Sequence, residues 1–579
     1  MTVTEAPRDD AVEAAATPTL SAPPAGLAAV VGSGDPRTIG KLFVGTSLLF
    51  LLASGVAGAL VGIEQYDAGS EIFGADSALR VFTLHSTAAL FLGVLPLLIG
   101  LATAIVPLQV GAATVAFPRA SAAAYWVWLV SSGLVLASFA IDGGPFGTEP
   151  DAVALYIAGL IAVAVALTVA TISVVTTVLT LRAPGMSLRR TPLFSWSVLV
   201  GGSVWVLTLP VLAGLLLITY LDLRYGQQFL GGSGGVYDRV AWVFWQPTLY
   251  VVAVPALGII ADIVPVFAQR RHQRHGAAMG LIGFAAALGF GAWAQIGASI
   301  SGDGDVTPWL NEGPWVAIGF LAIVPVVGLL GLWTLTLVTG KVRVRTPLVL
   351  AQLAGLLVLV GVAAGGATVI GDLDLANTTW MTAQAVAVLG GAALAGLAGV
   401  VFWAPKLYGK LLPGGLAAGG GTLVFLGALW AAVPLAIAGS LGQLRFVAAG
   451  GAVAGVDAAD LDTVETLDLV SGIGLGVTAL GGLLFALGLL ARRRGEGPGD
   501  DPWAGHTLEW ATTSPPVVGH FATLPEITSE APVYDARHAA TGTTTSSEPA
   551  TATGSTEPAT ATGSTEPATA TGSSTEASA

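Results

Sequence analysis

The sequence contains no cysteine among its 579 residues and only six histidines. The absence of cysteine excludes disulfides, thiolate nucleophiles, iron–sulfur clusters and thiolate zinc sites. Any bound metal must therefore use histidine, carboxylate, methionine or backbone oxygen as its ligand. Charge is also scarce, since only 10% of the residues are charged and the net charge is −13. No basic patch is left for a nucleic acid, which excludes nucleic-acid binding.

Apolar residues make up 54% of the chain, and the mean hydropathy is +0.78. This composition is too apolar for soluble domains and predicts a polytopic membrane protein whose first partner is the lipid bilayer. Apolar stretches long enough to cross about 30 Å of hydrocarbon as helix recur along the sequence. We predict an all-α bundle of twelve transmembrane helices near residues 40–63, 82–108, 124–142, 153–181, 195–220, 240–268, 277–299, 315–339, 346–371, 379–404, 416–440 and 466–491.

The charges in the loops alternate in sign along the chain. Basic residues collect at Arg119 and in the loops 182–190, 270–274, 341–345, 406–410 and 492–494. The loops between these are mainly acidic, with Arg224, Arg239 and Arg445 as exceptions. Because cytoplasmic loops collect lysine and arginine, this alternation predicts a cell-membrane protein with both termini in the cytoplasm.

The composition changes at both ends of the apolar region. Residues 1–35 are rich in alanine, proline and acid and predict a disordered cytoplasmic arm. The transmembrane domain is predicted over residues 36–494 and a polar cytoplasmic segment over 495–538. Residues 539–579 repeat threonine, proline, alanine and glutamate, a composition that cannot bury a core and predicts a disordered tail.

His85 is the one histidine deep inside an apolar stretch, between Thr83 and Pro96. An ionisable imidazole is costly away from water, so an intramembrane histidine is a candidate metal ligand, haem ligand or proton carrier. His272, His275, His506, His520 and His538 lie in polar segments, where we expect solvated side chains rather than a metal site.

Several separated motifs carry a family resemblance. They are the stretch from His85 to Arg119, the run Gln246-Pro-Thr-Leu-Tyr250, the run Trp293-Ala-Gln-Ile296, the stretch from Asn377 to Pro405, and the tail from Asp501 to Pro516. Through them, residues 35 to 536 resemble subunit I of the haem–copper terminal oxidases, the cytochrome c oxidase branch in particular. The tail match is long and specific. The resemblance implies a twelve-helix bundle, in agreement with the hydropathy.

The resemblance also implies six histidine ligands, of which this sequence keeps one. In the family, two histidines bind the low-spin haem, one binds the high-spin haem and three bind the adjacent copper. His85 matches the first low-spin ligand, whereas Val386 stands at the second and Gln384 at the high-spin position. The copper positions hold Gln246, Gln295 and Ile296. Amide oxygens bind copper weakly and isoleucine does not bind it, so we expect no copper.

Two further positions relate to these cofactors. Tyr250 matches the tyrosine that the family cross-links to a copper-ligand histidine, but Gln246 cannot form that bond, so a packing or interfacial role is expected. Arg445 matches one of two arginines that pair with haem propionates. A haem held by His85, with Arg445 at its propionate, therefore stays open as an alternative.

The positions that the resemblance assigns to proton transfer and magnesium are replaced as well. Thr248 and Thr114 replace a glutamate and an aspartate of one proton path, and Leu329 replaces the lysine of the other. A proton carrier must gain and lose protons, which leucine cannot do. Asn377 replaces the aspartate of a magnesium site.

The scaffold motifs are retained while the chemical positions are replaced. This pattern favours a catalytically degenerate homologue of oxidase subunit I, acting as a structural or assembly partner beside other subunits of a respiratory complex. An active cytochrome c oxidase subunit is the alternative, and it requires replacement ligands such as Met381. A single-haem protein using His85 is a third hypothesis, and a transporter that reuses the emptied cavity is a fourth.

Overall fold

The structure is a computed structural model. It describes residues 26–64, 75–227, 229, 234–291, 317, 319–445, 456–457, 459–491, 497–517, 519–521 and 523–540, with backbone alone for 234–247. Most of the predicted arm 1–35 and the repeat tail 539–579 lie outside these ranges. Residues 27–31 of the arm form a short helix. Among the described residues, the one extended pairing is an isolated bridge between Thr378 and Leu444.

The described chain is built from α-helices. In order they are α1 (Leu27–Val31), α2 (Pro36–Glu64), α3 (Ala75–Thr87), α4 (Leu95–Val110), α5 (Pro118–Ala140), α6 (Pro150–Thr180), α7 (Leu193–Tyr225), α8 (Gly234–Ala268), α9 (His275–Gly291), α10 (Ile323–Val338), α11 (Thr346–Ala367), α12 (Thr379–Phe402), α13 (Ala404–Tyr408), α14 (Gly414–Ser440), α15 (Leu461–Leu490) and α16 (Pro532–Ala540).

Eleven helical stretches in the described residues are long and apolar enough to cross a membrane. Each coincides with one of the predicted spans, which confirms an all-α membrane bundle. The remaining prediction, residues 277–299, begins as α9, whose apolar part is shorter than a full span. Its continuation falls within 292–316, outside the described residues. Twelve predicted helices are therefore consistent with the architecture.

Three of the spans form the centre of the bundle. In their most apolar stretches, 94% of residues are buried in Ser77–Val110, 100% in Thr248–Ala268 and 78% in Thr379–Phe402, against 28% to 56% in the other eight. A helix that faces lipid leaves one side exposed, so these three helices are surrounded by protein. They carry His85, Tyr250 and Gln384, and the fold therefore collects the predicted site positions in its interior.

The His85 helix changes its winding directly after the histidine. α3 continues through a π-helical segment, Ala88–Val94, into α4. Pro96 follows at the start of α4 and has no N–H to donate to the preceding turn. A π-segment accommodates an additional residue in the turn and commonly occurs beside functional sites. The local sequence thus turns the side chains of α3 relative to those of α4.

Small residues allow α2 and α15 to touch along their backbones. A Cβ added to Gly472 would lie 2.8 Å from the Cα of Gly62 and 3.1 Å from the carbonyl oxygen of Ala59. Close packing of this kind replaces the hydrophobic effect as the source of helix association in lipid. Four residues on, a Cβ at Gly476 would meet Ala59 at an ordinary 3.6 Å.

We predict that Gly472→Ala lowers stability by about 1–3 kcal/mol, since the new methyl group overlaps backbone that cannot rotate away. Gly476→Ala faces the same helix without overlap, and it should leave the protein unchanged or slightly more stable. Thermal unfolding of both variants in detergent makes the comparison. Equal midpoints for the two variants would contradict the close approach of α2 and α15.

Candidate functional site

His85 is fixed by α2, the neighbouring helix. Its Nδ1 donates to the carbonyl oxygen of Ser54 at 2.7 Å, and the Ser54 hydroxyl donates to the His85 carbonyl oxygen at 2.9 Å. A hydrogen bond at one ring nitrogen sets the tautomer and leaves the lone pair of the other ring nitrogen for a ligand. Gly58 lies against the ring, because a Cβ there would stand 2.7 Å from Cε1.

A cavity of about 150 Å³ lies beside His85 and is lined by residues of α2, α3, α12, α14 and α15 together with Arg445. The structure brings His85, Val386 and Arg445 together on its wall, as the motifs predict for a low-spin haem pocket. Leucine, alanine and glycine supply much of the remaining lining. Apolar cavities of about this size accept benzene or xenon, whereas sites for drug-sized ligands span roughly 300–1,000 Å³.

Arg445 is positioned through its backbone. Its N–H donates to the carbonyl oxygen of Asn377 at 2.8 Å, and the N–H of Thr379 donates to Gln443 at 2.9 Å, beside the Thr378–Leu444 bridge. Burial lowers the pKa of the Arg445 guanidinium to about 10. The guanidinium therefore keeps its positive charge at neutral pH and adds it to a cavity whose lining is mainly apolar.

Met381, the predicted replacement ligand, contacts the segment around Asn377. Asn377 is exposed and has a φ of 62°. Its backbone N–H donates to the sulfur of Met381 at 3.4 Å. The residues that line the cavity beside His85 do not include Met381.

A different arrangement occupies the positions of the high-spin haem and copper. Gln384 is fully buried, and its Nε2 donates to the hydroxyl of Tyr250 at 3.3 Å. Gly365 of α11 packs against both side chains, because a Cβ there would stand 2.5 Å from the same Nε2 and would overlap the Tyr250 hydroxyl. The residue at the haem position and the tyrosine from the copper side are thus in direct contact.

The other predicted positions are dispersed. Thr248 and Leu329 are buried in α8 and α10, whereas Thr114 is half-buried in the turn after α4. Gln246 lies in α8, but its side chain is outside the described atoms. Gln295 and Ile296 fall outside the described residues. Among the residues that the structure does describe, no group of three histidine or acidic side chains could hold a metal ion.

A buried polar cluster, which the sequence reading did not identify, lies at the end of α4. Gln109 donates from Nε2 to Asp262 at 2.7 Å and to Glu509 at 3.2 Å, and accepts from the Ser195 hydroxyl at 2.6 Å. Asp262 also accepts from the backbone N–H groups of Leu193 and Phe194. Burial raises the pKa of the Glu509 carboxyl. An acidic residue within the apolar run 240–268 was the available signal for this cluster.

Lys406 anchors the same tail from the bundle side. Its ammonium donates to the carbonyl oxygens of Thr512 at 2.7 Å and Asp500 at 2.9 Å, and lies 5.1 Å from the centre of the Trp510 ring. Burial lowers the pKa of this lysine to about 8, and the charge of Glu509 partly offsets that effect. The tail is therefore held by charged groups that water does not reach.

The expectation that the loop and tail histidines are solvated is wrong for three of them. His272, His506 and His520 are only 9%, 5% and 6% exposed, because the tail folds against the loops of the bundle. His520 donates from Nδ1 to the carbonyl oxygen of Ala112 at 2.8 Å, and His506 packs edge-on against Tyr534. Within the part of the chain that the structure describes, neither ring nitrogen of His272 has a hydrogen-bond partner.

Comparison with known proteins agrees with this architecture. Residues 38–477 match the family described as cytochrome c and quinol oxidase polypeptide I. The chain belongs to this oxidase polypeptide I family. A probable cytochrome c oxidase subunit 1-alpha of Streptomyces coelicolor is 31% identical over 536 residues, covering 87% of this chain and 89% of the relative. Cytochrome c oxidase subunit 1 of Bacillus subtilis is 28% identical over 546 residues, covering 89% and 84%.

A solved structure shares the fold of this oxidase polypeptide I chain. A chain of a haem–copper terminal oxidase dimer aligns with a TM-score of 0.58 at 16% sequence identity, covering 79% of this chain and 85% of the other. The family resemblance inferred from the motifs is thereby confirmed, as is the fold. This oxidase polypeptide I chain is a cytochrome c oxidase subunit I-like membrane protein.

We predict that Gln109→Leu destabilises the oxidase polypeptide I bundle by at least about 1–3 kcal/mol, because two buried carboxyl groups lose the N–H donor that they share. The tail around Glu509 should also become more sensitive to protease. Gln352→Leu is the matched control, since the Gln352 Nε2 has no hydrogen-bond partner to lose. Thermal unfolding and limited proteolysis provide the two measurements. Equal behaviour of both variants would contradict a structural role for the cluster.

We predict that acid weakens this structure through His272. Burial, together with the charge of His275, lowers the pKa of His272 from an ordinary 6.5 to about 4. Between these values the unfolded chain binds a proton that the native chain does not, so stability falls as the pH drops from 6.5 to 4, by up to about 1.4 kcal/mol per pH unit.

Thermal unfolding between pH 7 and 4 tests this effect. The midpoint should fall on acidification in the wild type, and His272→Phe should show a shallower fall over the same range. An unchanged slope in the variant would assign the acid sensitivity to other groups.

Proposed function

We propose that this protein is a catalytically degenerate member of the oxidase polypeptide I family and acts as a structural or assembly partner in a respiratory membrane complex. The observation that carries the proposal is the 3.3 Å contact between Gln384 and Tyr250. The two side chains stand where the family resemblance expects a haem ligand and a copper-side tyrosine.

The residues at this position do not fit a haem–copper centre. Gln384 carries an amide, a weak ligand for iron and copper compared with imidazole. Its contact with Tyr250 and the close approach of Gly365 leave no gap in which a macrocycle could lie. Oxygen reduction at this centre would need both a set of ligands and a space. The proposal therefore gives the chain no catalytic step.

The end of the bundle that holds the tail supports a role as a partner. Gln109 and Lys406 tie the tail to the bundle through buried hydrogen bonds. Arg271 adds an ion pair with Glu530 at 2.8 Å and another with Asp535 at 3.1 Å. Buried polar groups are costly unless they are satisfied, so these bonds require the tail to stay docked on the bundle. A docked tail gives this face of the bundle a fixed surface, which supports the proposed role as an assembly partner.

The same contacts support the proposed topology. The tail accepts hydrogen bonds from Arg190 and Arg271, which belong to two of the basic loops, and from Lys406 in a third. Basic loops collect in the cytoplasm. We therefore infer a cell-membrane protein whose tail, like the basic loops, faces the cytoplasm, with the transmembrane domain over residues 36–494 and the docked segment over 495–538.

We expect purified full-length protein to show neither a stoichiometric two-haem absorption spectrum nor oxygen consumption with reduced cytochrome c. The physical reason is the closed space between Gln384 and Tyr250. Visible spectroscopy and an oxygen electrode provide the measurements, with an intact oxidase as the positive control. Two haems per chain together with turnover would overturn the proposal.

A single haem at His85 is the second candidate, because His85 and Arg445 line one cavity. One part of the site fits, since the Nε2 of His85 is free to act as a ligand and Arg445 could pair with a propionate. Val386 on the facing helix provides no lone pair, and a cavity of about 150 Å³ is small for the group. When bound, a haem would supply electron transfer or gas sensing.

Haem content separates the two candidates. A pyridine haemochrome assay on wild type, His85→Ala and the control His538→Ala should give equally negligible haem if the first proposal holds. One haem in the wild type and in the control, lost in His85→Ala, would favour the single-haem function instead. Transport has no such support, because Arg445 is the only lysine, arginine or acidic residue among the residues that line the cavity.

A further inference from the structure

A second cavity lies at the end of the bundle where the tail docks. It is an open cleft of about 450 Å³ between the start of α2, the end of α15, the α13 segment and the tail. Its lining residues are Arg37, Lys41, Leu407, Tyr408, Lys410, Leu490 and Pro515. Three of the seven are basic and none is acidic.

The cleft lies at the edge of the membrane region. Arg37 and Lys41 belong to the first two turns of the span Pro36–Glu64, and Leu490 is the last residue of the span Leu461–Leu490. Lys410 follows shortly after the end of Thr379–Phe402. Span ends mark the depth of the lipid headgroups, so the three cations stand at the level of the phosphate layer.

The position of Arg37 is set by the tail. Its Nη1 donates to the carbonyl oxygen of Pro516 at 2.8 Å, and its Nε lies 3.7 Å from Asp35. Asp35 also accepts from the backbone N–H and the hydroxyl of Thr38, at 3.0 and 2.7 Å. The Asp35 carboxylate thus caps the first turn of α2 and also lies beside the Arg37 guanidinium. Lys41 and Lys410 add two further positive charges to the lining of the cleft.

 The cleft also opens towards lipid along α15. The exposed fractions are 40% for Leu483, 45% for Leu487 and 78% for Leu490, and the spacing of four and three residues places them on one helix face. This apolar face starts at the cleft and runs into the bilayer region. A ligand with a charged head in the cleft could therefore lay hydrocarbon chains along it.

We propose that this cleft binds the phosphate headgroup of an anionic phospholipid from the leaflet on the tail side, with the acyl chains along α15. Arg37, Lys41 and Lys410 face the phosphate, and Leu490 marks where the headgroup passes into the hydrocarbon layer. Tyr408 suits the same depth, because tyrosine is enriched at the membrane interface. Pro515 makes the tail one wall of the site, so a bound lipid stabilises the docked tail.

The arrangement favours a lipid over a soluble phosphate compound. A site for a free phosphate needs only the cations, whereas this cleft joins them to an exposed apolar helix face that ends at the same place. Basic pockets between transmembrane helices on the cytoplasmic side are known to bind anionic headgroups. The lipid site is independent of whether His85 holds a haem, and either proposal can fail without the other.

Lipid titration of the purified full chain in neutral detergent, followed by native mass spectrometry, tests the site. Short-chain phosphatidylglycerol should bind as one saturable equivalent and more tightly than phosphatidylcholine of the same chain length. Lys41→Gln combined with Lys410→Gln should weaken phosphatidylglycerol binding about 25-fold, at about fivefold for each lysine. The double variant Lys341→Gln/Arg343→Gln carries the same charge change in another basic loop and should bind as the wild type does.

Three results would overturn the proposal. One is equal affinity for the two lipids in the wild type, and another is an equal loss of binding in the control double variant. The third is competition by inorganic phosphate at the concentration at which the lipid binds, which would assign the cleft to free phosphate. The wild-type lipid preference needs no variant, so it tests the site even if a substitution disturbs folding.

Discussion

One amide, that of Gln109, holds two buried carboxyl groups together, and the docking of the tail on the bundle depends on it. Gln109 reaches Asp262 on α8 and Glu509 on the tail, while Ser195 on α7 fixes the amide from its other side. Removing acid groups from water is unfavourable unless hydrogen bonds replace the lost hydration. Three helices and the tail must therefore meet at one point.

The two positions that the family resemblance assigns to haem ligands differ in their surroundings. Around His85 the helices enclose a cavity, and Ser54 orients the imidazole. Around Gln384 the side chains are in direct contact with one another. The side chains differ in kind, because the Gln384 amide can donate a hydrogen bond to the Tyr250 hydroxyl, whereas Val386 has no polar group that would draw it across an apolar space.

The sequence was informative where a signal is local or belongs to the family. Hydropathy located the spans, and motif register placed His85, Val386 and Arg445 at one cavity although they are far apart in the chain. The buried cluster was not predicted from the sequence, because Gln109 contacts residues 153 and 400 positions away and no local pattern encodes such pairs. The burial of His272 escaped for the same reason, since a polar loop shows nothing of the distant segment that covers it.

The contact at Gly365 sets how closely two helices of the core approach each other. Even a glycine leaves so little room that a methyl group there would overlap the Tyr250 hydroxyl and approach Gln384 to 2.5 Å. A side chain at position 365 would therefore require the backbones of α11 and α12 to move apart. The spacing of these two helices thus depends on the absence of a side chain at a single position.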